Sequence, residues 1–364
     1  PLADYKRIVV KVGSALLVGD GTLRRSWLTR LCSDIADLKA RGVDVVLVSS
    51  GAVALGCPRL GFDRRSLTLA QKQACAAAGQ SRLTRAYDDA LGAFELRSAQ
   101  ALLTLDDTED RRRWLNARAA LRTLLDAGVV AVINENDTVA TDELRYGDND
   151  RLAARTAQLI GADLLVLLSD VDGLYTADPR KDGTARHIPV VEQLDAATLA
   201  MGGEANERSG VGSGGMATKL LAARICMDSG CYMIICDGRA DNALGRLSDG
   251  VRHTLFRSQA DPDNARVQWI RGSLAPSGRF VIDPGAEDAL RQGRSLLAAG
   301  LVSVEGDYAK GDTVRVVSQD GRDIAQGLSA YDSHDLPELC GLRSDAITHP
   351  YGPVVIHRDN MVIL

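Results

Sequence analysis

A glycine-rich run that ends in a lysine, Gly210–Lys219 (GVGSGGMATK), is the part of the sequence best suited to bind an anion. Glycines let backbone N–H groups approach a ligand closely, and a helix predicted to begin near Met216 adds the positive end of its dipole. Lys219, in the first turn of that helix, supplies a full positive charge. The run therefore predicts a phosphate site. It is not a Walker A loop, in which a glycine directly precedes the lysine.

A second lysine, Lys11, lies near the end of an apolar strand predicted over Arg7–Val12 and is followed by Gly13. Burial of an unpaired ammonium group is unfavourable, so a lysine at this position needs a partner. One interpretation is that Lys11 reaches a phosphoryl group at the end of the strand. The alternative is a lysine whose ammonium group extends from the sheet edge into water. A further lysine after a glycine-rich loop favours the first interpretation.

Amides and carboxylates are concentrated in two segments, Asn134–Asp137 (NEND) and Gly147–Asp150 (GDND). Such side chains could bind the ammonium and carboxylate groups of an amino acid, or organise lysines and magnesium. The alternative is ordinary turn and cap chemistry, since Asp148 or Asn149 would cap the helix predicted from Asp150. The two roles do not exclude each other.

Two further polar turns follow predicted strands. Ser169 and Asp170 come directly after one strand and begin a D-x-D-G turn that ends at Gly173, which could hold a ribose and admit an adenine. A generic turn explains the same pattern. Ser50 and Gly51 follow another strand but lack the G-x-S-x-G pattern of a serine hydrolase. A backbone N–H site for a carboxylate or phosphate is the better interpretation there.

Helices that alternate with uninterrupted apolar strands must position these residues. Strands are predicted over Arg7–Val12, Val43–Ser49, Ser98–Thr104, Val129–Asn134, Asp163–Ser169 and Cys231–Cys236, and helices over Trp27–Arg41, Leu69–Leu91, Arg111–Ala127, Asp150–Gly161 and Met216–Gly230. This pattern is typical of an α/β fold, a three-layer αβα arrangement whose largely parallel sheet is buried between helices. In such folds ligands bind beyond the carboxyl ends of the strands, which is where the polar segments lie.

After about Thr254 the pattern changes. Two prolines and little periodicity over residues 261–278 predict a linker, and short segments punctuated by turns predict a small β-rich domain from Arg279 onward. Strands of that domain are predicted over Gly300–Glu305, Thr313–Ser318, Asp323–Ser329 and Val354–His357. The predicted organisation is a first domain over 1–260, a linker over 261–278 and a second domain over 279–364.

Composition and charge exclude several classes of protein. Of the 364 residues, 45% are hydrophobic and 25% are charged, which is typical of a globular chain. Residues 276–364 carry 8 basic and 13 acidic side chains, and the preceding residues carry 35 of each, so neither part has the basic excess of a nucleic-acid binder. No apolar run reaches the roughly 18 residues of a membrane span, and no signal-peptide pattern is present, so a cytoplasmic location without a membrane partner is expected. The scattered cysteines and histidines predict neither disulfides nor a structural metal site.

Six segments together resemble the amino-acid kinase family. They are VVKVGSALL (Val9–Leu17), VLVSSGAVALG (Val46–Gly56), VINENDTVA (Val132–Ala140), YGDND (Tyr146–Asp150), LLSDVDGLYTADPR (Leu167–Arg180) and GSGGMATK (Gly212–Lys219). The resemblance extends over essentially the whole chain, and the tail, Gly278–Asp359, is similar to a PUA domain. The general kinase features would also fit kinases of aspartate, acetylglutamate, carbamate or UMP. The NEND and GDND segments together with the tail are most similar to the branch that acts on glutamate.

This resemblance implies that ATP phosphorylates the γ-carboxylate of L-glutamate, as the first step toward proline, with Mg²⁺ bridging the ATP phosphates. Because the acceptor is already an anion at neutral pH, the reaction needs positioning and charge stabilisation rather than a general base. The residues that match the family's catalytic positions are Lys11, Lys219 and Asp150. Those that match glutamate-binding positions are Ser50, Asn134, Asp137, Asp148 and Asn149. Those that match ATP-binding positions are Lys11, Gly13, Ser169, Asp170, Ser213, Gly214, Gly215, Met216, Ala217, Thr218 and Lys219.

The resemblance also implies partners. Members of the branch that acts on glutamate are commonly inhibited by proline at a site that overlaps the glutamate site, around Asn134–Asp150, and they commonly assemble as dimers or tetramers. The product could be handed to a glutamyl-phosphate reductase. A rival hypothesis is RNA binding, because PUA domains often bind RNA. The acidic tail, which lacks a cluster of basic or aromatic residues, argues against a nucleic-acid partner.

Overall fold

The computed structural model of the chain describes residues 2–139, 149–202, 215–260 and 276–364. It divides into two compact units, one of Pro1–Glu109 with Ala117–Pro262 and one of Asp110–Asn116 with Asp263–Leu364. Most of the predicted linker lies outside the described residues, and the domain limits predicted from the sequence stay a prediction.

A sheet of eight described strands forms the centre of the first unit. In spatial order these are β10 (Val190–Val191), β12 (His253–Phe256), β11 (Tyr232–Asp237), β7 (Leu164–Ser169), β1 (Arg7–Val12), β4 (Asp44–Ser49), β6 (Val130–Glu135) and β5 (Ser98–Leu103). Neighbouring strands run parallel, except that β12 is antiparallel to β11. The largely parallel sheet predicted from the sequence is confirmed. Two short ribbons pair β2 (Val18–Gly19) with β3 (Thr22–Leu23) and β8 (Leu174–Tyr175) with β9 (His187–Ile188).

Helices connect the strands of the first unit. They are α1 (Ser14–Leu17), α2 (Arg25–Ala40), α3 (Ala52–Leu60), α4 (Leu69–Gly92), α5 (Leu105–Glu109), α6 (Arg111–Asp126, which begins in the second unit), α7 (Asn149–Ile160), α8 (Ala196–Ala200), α9 (Met216–Asp228) and α10 (Ala243–Ser248). A single 3₁₀ turn, Leu2–Asp4, precedes β1. Within the described ranges, no helix is both long enough and apolar enough to cross a membrane.

The strands are buried on both faces, which explains why they show no polar alternation. In β1, the side chains of Ile8, Val10 and Val12 join a core that also contains apolar residues of α2, α3, α4 and α10. Because side chains alternate along a strand, Val9 and Lys11 point to the opposite face, against which α7 packs. The three-layer arrangement thus places Lys11 beneath α7.

The second unit is rich in β-structure. Its larger sheet has the spatial order β15 (Leu301–Gly306), β13 (Gly278–Ile282), β16 (Thr313–Ser318), β17 (Asp323–Leu328) and β19 (Met361–Ile363), and β14 (Leu296–Leu297) pairs with β18 (Val354–Ile356). One helix, α11 (Pro284–Arg291), and four 3₁₀ turns, Ala298–Gly300, Leu336–Leu339, Ser344–Ala346 and Arg358–Asn360, are described in this unit. The core includes Phe280, Val316 and Tyr331. The sequence patterns missed β13 and α11, in which Asp283 caps the helix by accepting from the backbone N–H of Ala286 at 2.7 Å.

Helices α3 and α4 of the first unit are packed with their backbones in contact. A Cβ atom placed on Gly56 of α3 would lie 1.8 Å from the carbonyl oxygen of Cys75, and one placed on Gly79 of α4 would lie 1.8 Å from that of Ala52. Neither distance is physically possible. Glycine is therefore required at both positions to let the helices approach this closely.

Replacement of Gly79 by alanine is expected to lower the free energy of unfolding by about 2 kcal/mol or more, because the added methyl group must push the two helices apart. Gly92→Ala on the same helix is the matched control, since a Cβ there meets no atom within 4 Å. Urea unfolding of both variants and the unsubstituted protein measures the effect. Equal stability of the two variants would contradict the close approach.

Candidate active site

The described residues of the polar segments identified in the sequence meet at one edge of the sheet. Strands β7, β1, β4 and β6 are neighbours and run parallel, so their carboxyl ends lie side by side. Val12 is in register with Ser49 on one side and with Leu168 on the other. The described residues that directly follow these strands therefore lie together above this edge, as predicted.

The centre of this site is a buried carboxylate held between two lysines. The side chain of Asp150, at the start of α7, is fully buried, with 0% of its surface exposed. Its Oδ1 atom lies 2.6 Å from Nζ of Lys11, and its Oδ2 atom accepts a hydrogen bond of 3.1 Å from Nζ of Lys219. The three side chains form an ion cluster with one net positive charge.

The electrostatics of the cluster favour the ionised carboxylate. Burial acts to raise the pKa of Asp150, but the positive charges of Lys11 and Lys219 and their hydrogen bonds outweigh it and hold the pKa at about 2. With both oxygens facing ammonium groups, Asp150 is a fixed negative charge at neutral pH. It is therefore suited to positioning the lysines and unsuited to accepting a proton.

Helix α9 delivers Lys219 to the cluster. The helix begins at Met216 with Gly215 as its N-cap, where a Cβ atom would meet no atom of the described residues within 4 Å. The hydroxyl of Thr218 lies 2.8 Å from the carbonyl oxygen of Gly215 and 3.2 Å from Oδ2 of Asp150. Met216, Ala217 and Thr218 thus occupy the first turn, where the helix dipole adds positive potential beside the lysines.

A second cluster, the amide cluster of Ser50, Asn134, Asn149 and Gln80, lies beside the ion cluster because Asn149 and Asp150 are consecutive. Nδ2 of Asn149 donates to Oγ of Ser50 at 2.6 Å and lies 3.4 Å from Oδ1 of Asn134. Nδ2 of Asn134 donates to Oε1 of Gln80 at 2.8 Å. Sequence reasoning missed Gln80, which belongs to α4, far from every motif.

The turn out of β4 sets the position of Ser50. Gly51 has a φ of 117°, a left-handed conformation suited to glycine, and it is the N-cap of α3. The preceding Ser49 is fully buried, and its hydroxyl lies 2.9 Å from the hydroxyl of Tyr87 on α4. Ser50 therefore lies between a residue that contacts α4 and the N-cap residue of α3.

The remaining predicted residues lie around these two clusters. Gly13 follows β1, and among the described residues the nearest atom to a Cβ placed there would be the carbonyl oxygen of Leu168 at 3.8 Å, so these residues leave room for a side chain. Ser169 donates to the carboxylate of Asp170 at 3.2 Å. Burial raises the pKa of Asp137, against the opposing charge of Lys72. Asp148, Ser213 and Gly214 lie outside the described residues.

Comparisons with known proteins match this chain to two sequence families. Residues 6–237 match the amino acid kinase family, and residues 278–351 match the PUA domain. A glutamate 5-kinase from Caulobacter vibrioides is 54% identical over 363 residues, which are 98% of this chain and 96% of that protein. Glutamate 5-kinases from Paramagnetospirillum magneticum and Paracoccus denitrificans are 53% and 52% identical, covering 100% of this chain and 99% and 98% of those proteins. The resemblance to the family and to a PUA domain is confirmed.

Substitution of Asp150 by asparagine is expected to destabilise the fold by about 3–5 kcal/mol at pH 7, because two buried ammonium groups lose their counter-charge. The folded-state pKa of about 2 lies below the ordinary value of about 3.9, so the contribution of Asp150 is complete above pH 4 and disappears as the pH falls toward 2. About 1 kcal/mol of the difference between the two proteins is lost between pH 5 and pH 3.

Urea unfolding of the unsubstituted protein and of Asp150→Asn at pH 7, 5 and 3 measures this difference. Taking the difference at each pH removes the titration of all other groups that the two proteins share. A difference that stays constant from pH 5 to pH 3 would show that Asp150 does not have a lowered pKa.

Proposed function

Because the chain belongs to the amino acid kinase family and matches glutamate 5-kinases along its whole length, we propose that it transfers the γ-phosphoryl group of ATP to the γ-carboxylate of L-glutamate. The product is L-glutamyl 5-phosphate, the first intermediate on the route to proline. The observation that carries the proposal is the buried ion cluster of Lys11, Asp150 and Lys219 directly beside an amide cluster suited to an amino acid.

The central difficulty of this reaction is charge. The γ-carboxylate of glutamate, with an ordinary pKa of about 4.3, is already ionised at pH 7 and must approach a polyanionic triphosphate. Lys11 and Lys219 bring two positive charges to the place where the two anions meet. Fixed charges of this kind stabilise a phosphoryl-transfer transition state without reorganisation at the moment of reaction.

Asp150 contributes by positioning. Its two oxygens hold the two lysine ammonium groups at 2.6 and 3.1 Å, so each lysine has a defined location before the substrates bind. No general base is needed, since the nucleophile carries no proton to remove. This division of roles explains why a carboxylate is tolerated in a site for two anions.

Recognition of glutamate falls to Ser50, Asn134, Asp137, Asp148 and Asn149. The α-ammonium group requires acceptors, which the carboxylate of Asp137 and the amide oxygen of Asn149 supply. The hydroxyl of Ser50 and the N–H groups at the start of α3 suit a carboxylate. Because Asn149 and Asp150 are consecutive, the far end of a glutamate bound at the amide cluster would lie next to the lysines, which supports this assignment.

The nucleotide binds on the other side of the lysines. The proposed contacts are Lys11, Gly13, Ser169, Asp170 and the segment 213–219. Added Cβ atoms at Gly13 and at Gly215 would meet no atom of the described part of the chain closer than 3.8 Å, and this room fits close approach by phosphate oxygens.

Magnesium fits this site as a companion of the ATP phosphates. Among the residues that the structure describes, no group of three or more His, Cys, Asp or Glu side chains is arranged to hold a metal ion. Mg²⁺ commonly keeps several waters and binds through substrate phosphates and at most one or two carboxylates, so no protein cage is required. When bound, it would neutralise part of the phosphate charge.

Three further properties complete the proposal. Proline inhibits by occupying the glutamate site, because both ligands carry an ammonium and an α-carboxylate group. The chain assembles as a homo-oligomer, a dimer or a tetramer, and its reactive acyl phosphate passes to a glutamyl-phosphate reductase. These properties are implied by the resemblance to kinases that act on glutamate.

The decisive test is ADP release with Mg-ATP and a panel of acceptors: L-glutamate, N-acetyl-L-glutamate, L-aspartate, carbamate and UMP, each with and without L-proline. Turnover with L-glutamate alone, suppressed by L-proline, is the expected result. Turnover with another acceptor instead would contradict the assigned substrate while leaving the role of the lysines in place.

Replacement of Lys219 by methionine, which keeps the chain length and removes the charge, is expected to lower kcat by about 100-fold or more and to change KM for glutamate by less than about threefold. Lys39→Met is the matched control. Lys39 is also a largely buried lysine in an ion pair, 3.6 Å from Asp44, but Asp44 lies at the amino end of β4. A rise in KM with unchanged kcat for Lys219→Met would rule out a role in the transition state.

A further inference from the structure

Gln80, on α4, lies outside every segment assigned to the reaction, but its side chain contacts one of the proposed substrate-binding residues, Asn134. We propose that Gln80 is a positioning residue that fixes the amide of Asn134, and through it the amide of Asn149, so that the carbonyl oxygen of Asn149 accepts a hydrogen bond from the substrate's α-ammonium group. This inference rests on the proposed function, because it assigns the part of the site that distinguishes an amino acid from a simple dicarboxylate.

The orientation of Asn134 is fixed by a backbone group. The backbone N–H of Glu135 donates to Oδ1 of Asn134 at 2.9 Å, and a backbone N–H can only donate. The Nδ2 end of the amide must then face the other way, toward Oε1 of Gln80 at 2.8 Å. Asn134 is only 3% exposed, so without Gln80 this donor would be buried and unsatisfied.

The orientation of Gln80 is fixed in turn by its own helix. Its Nε2 atom donates to Oγ1 of Thr84, one turn later, at 3.4 Å. The hydroxyl of Thr84 has a single hydrogen, which faces the backbone carbonyl oxygen of Gln80 at 3.0 Å and Oε1 of Gln100, so the hydroxyl accepts from Nε2 of Gln80. The amide of Gln80 therefore presents its oxygen, and not its nitrogen, to Asn134.

Asn149 is the third amide in this chain of hydrogen bonds, after Gln80 and Asn134. Its Nδ2 atom is engaged by Ser50 and faces Oδ1 of Asn134. Its Oδ1 atom is buried and has no hydrogen-bond partner among the described residues. A buried carbonyl oxygen of this kind requires a donor, and a primary ammonium group supplies three. A carboxylate at the same place would be repelled, so the chemistry selects the ammonium end of the substrate.

The close crossing of α3 and α4 fixes the positions of Gln80 and Ser50, the first and last residues of this hydrogen-bond chain, relative to each other. Gly79, next to Gln80, is in backbone contact with Ala52, which begins α3 two residues after Ser50. Gln80 and Ser50 are thus attached to two backbones that touch. The donor and acceptor pattern between them is held by rigid elements and not by mobile loops.

The test compares Gln80→Leu with Gln80→Glu, using two ligands that differ only in the α-amino group. Leucine removes the acceptor for Asn134, and glutamate keeps it. We expect Gln80→Leu to raise KM for L-glutamate about tenfold with kcat changed less than about twofold, and Gln80→Glu to remain within about threefold of the unsubstituted protein. The inhibition constant of glutarate, which lacks the amino group, should change less than about twofold in both variants.

Arg85→Ala is the control on the same helix, since Arg85 is 84% exposed on the outer side of α4. Thermal unfolding confirms that each variant folds, and Gln80→Met, which keeps the unbranched chain, replaces the leucine variant if that variant does not. Equal weakening of L-glutamate and glutarate would overturn the inference, because it would indicate a merely structural effect, and so would no change for either ligand. Absence of turnover of L-glutamate by the unsubstituted protein would contradict the proposed function, and this inference with it.

Discussion

The ammonium groups of Lys11 and Lys219 can be buried close to each other in this protein because the carboxylate of Asp150 lies between them. Burial of an unpaired charge is unfavourable in free energy, and burial of two like charges side by side is more unfavourable still because they repel each other. Lys11 comes from the central strand β1, Asp150 from α7 and Lys219 from α9. The ion cluster therefore joins the sheet to two helices that are distant in sequence. A shift of either helix end would separate Asp150 from a lysine and leave a buried charge unpaired.

The start of α7 joins the ion cluster to the amide cluster, the two groups of residues in the proposed site. Asn149 contacts the amide cluster and Asp150 contacts the lysines, and the two residues are consecutive. A shift of α7 along its axis would move both side chains together. The position of α7 therefore sets the amide cluster and the ion cluster at the same time, so a displaced helix would disrupt both clusters.

The central sheet and the ends of its strands could be predicted because they depend on local patterns. Uninterrupted apolar strands such as Arg7–Val12 indicate burial on both faces, and polar residues that follow them must lie at one sheet edge. Gln80 could not be found in this way, because its role depends on a contact with Asn134, 54 positions later. The close approach at Gly79 is equally invisible, since a glycine within a predicted helix does not reveal what packs against it. In the second unit, β13 was not predicted because it begins at Gly278, the last residue of the segment that the prolines indicate to be a linker.

The crossing of α3 and α4 has a consequence for the entropy of binding. Gly56 and Gly79 place no side chain in the contact, so no rotamer there remains to be restricted. Ordering a flexible side chain at a binding site costs about 0.5–1.5 kcal/mol each time a ligand arrives. Ser50 and Gln80 are carried by backbones that folding has already ordered. The backbone on this side of the proposed site is therefore ordered once, during folding, and would not need to be ordered again each time a substrate binds.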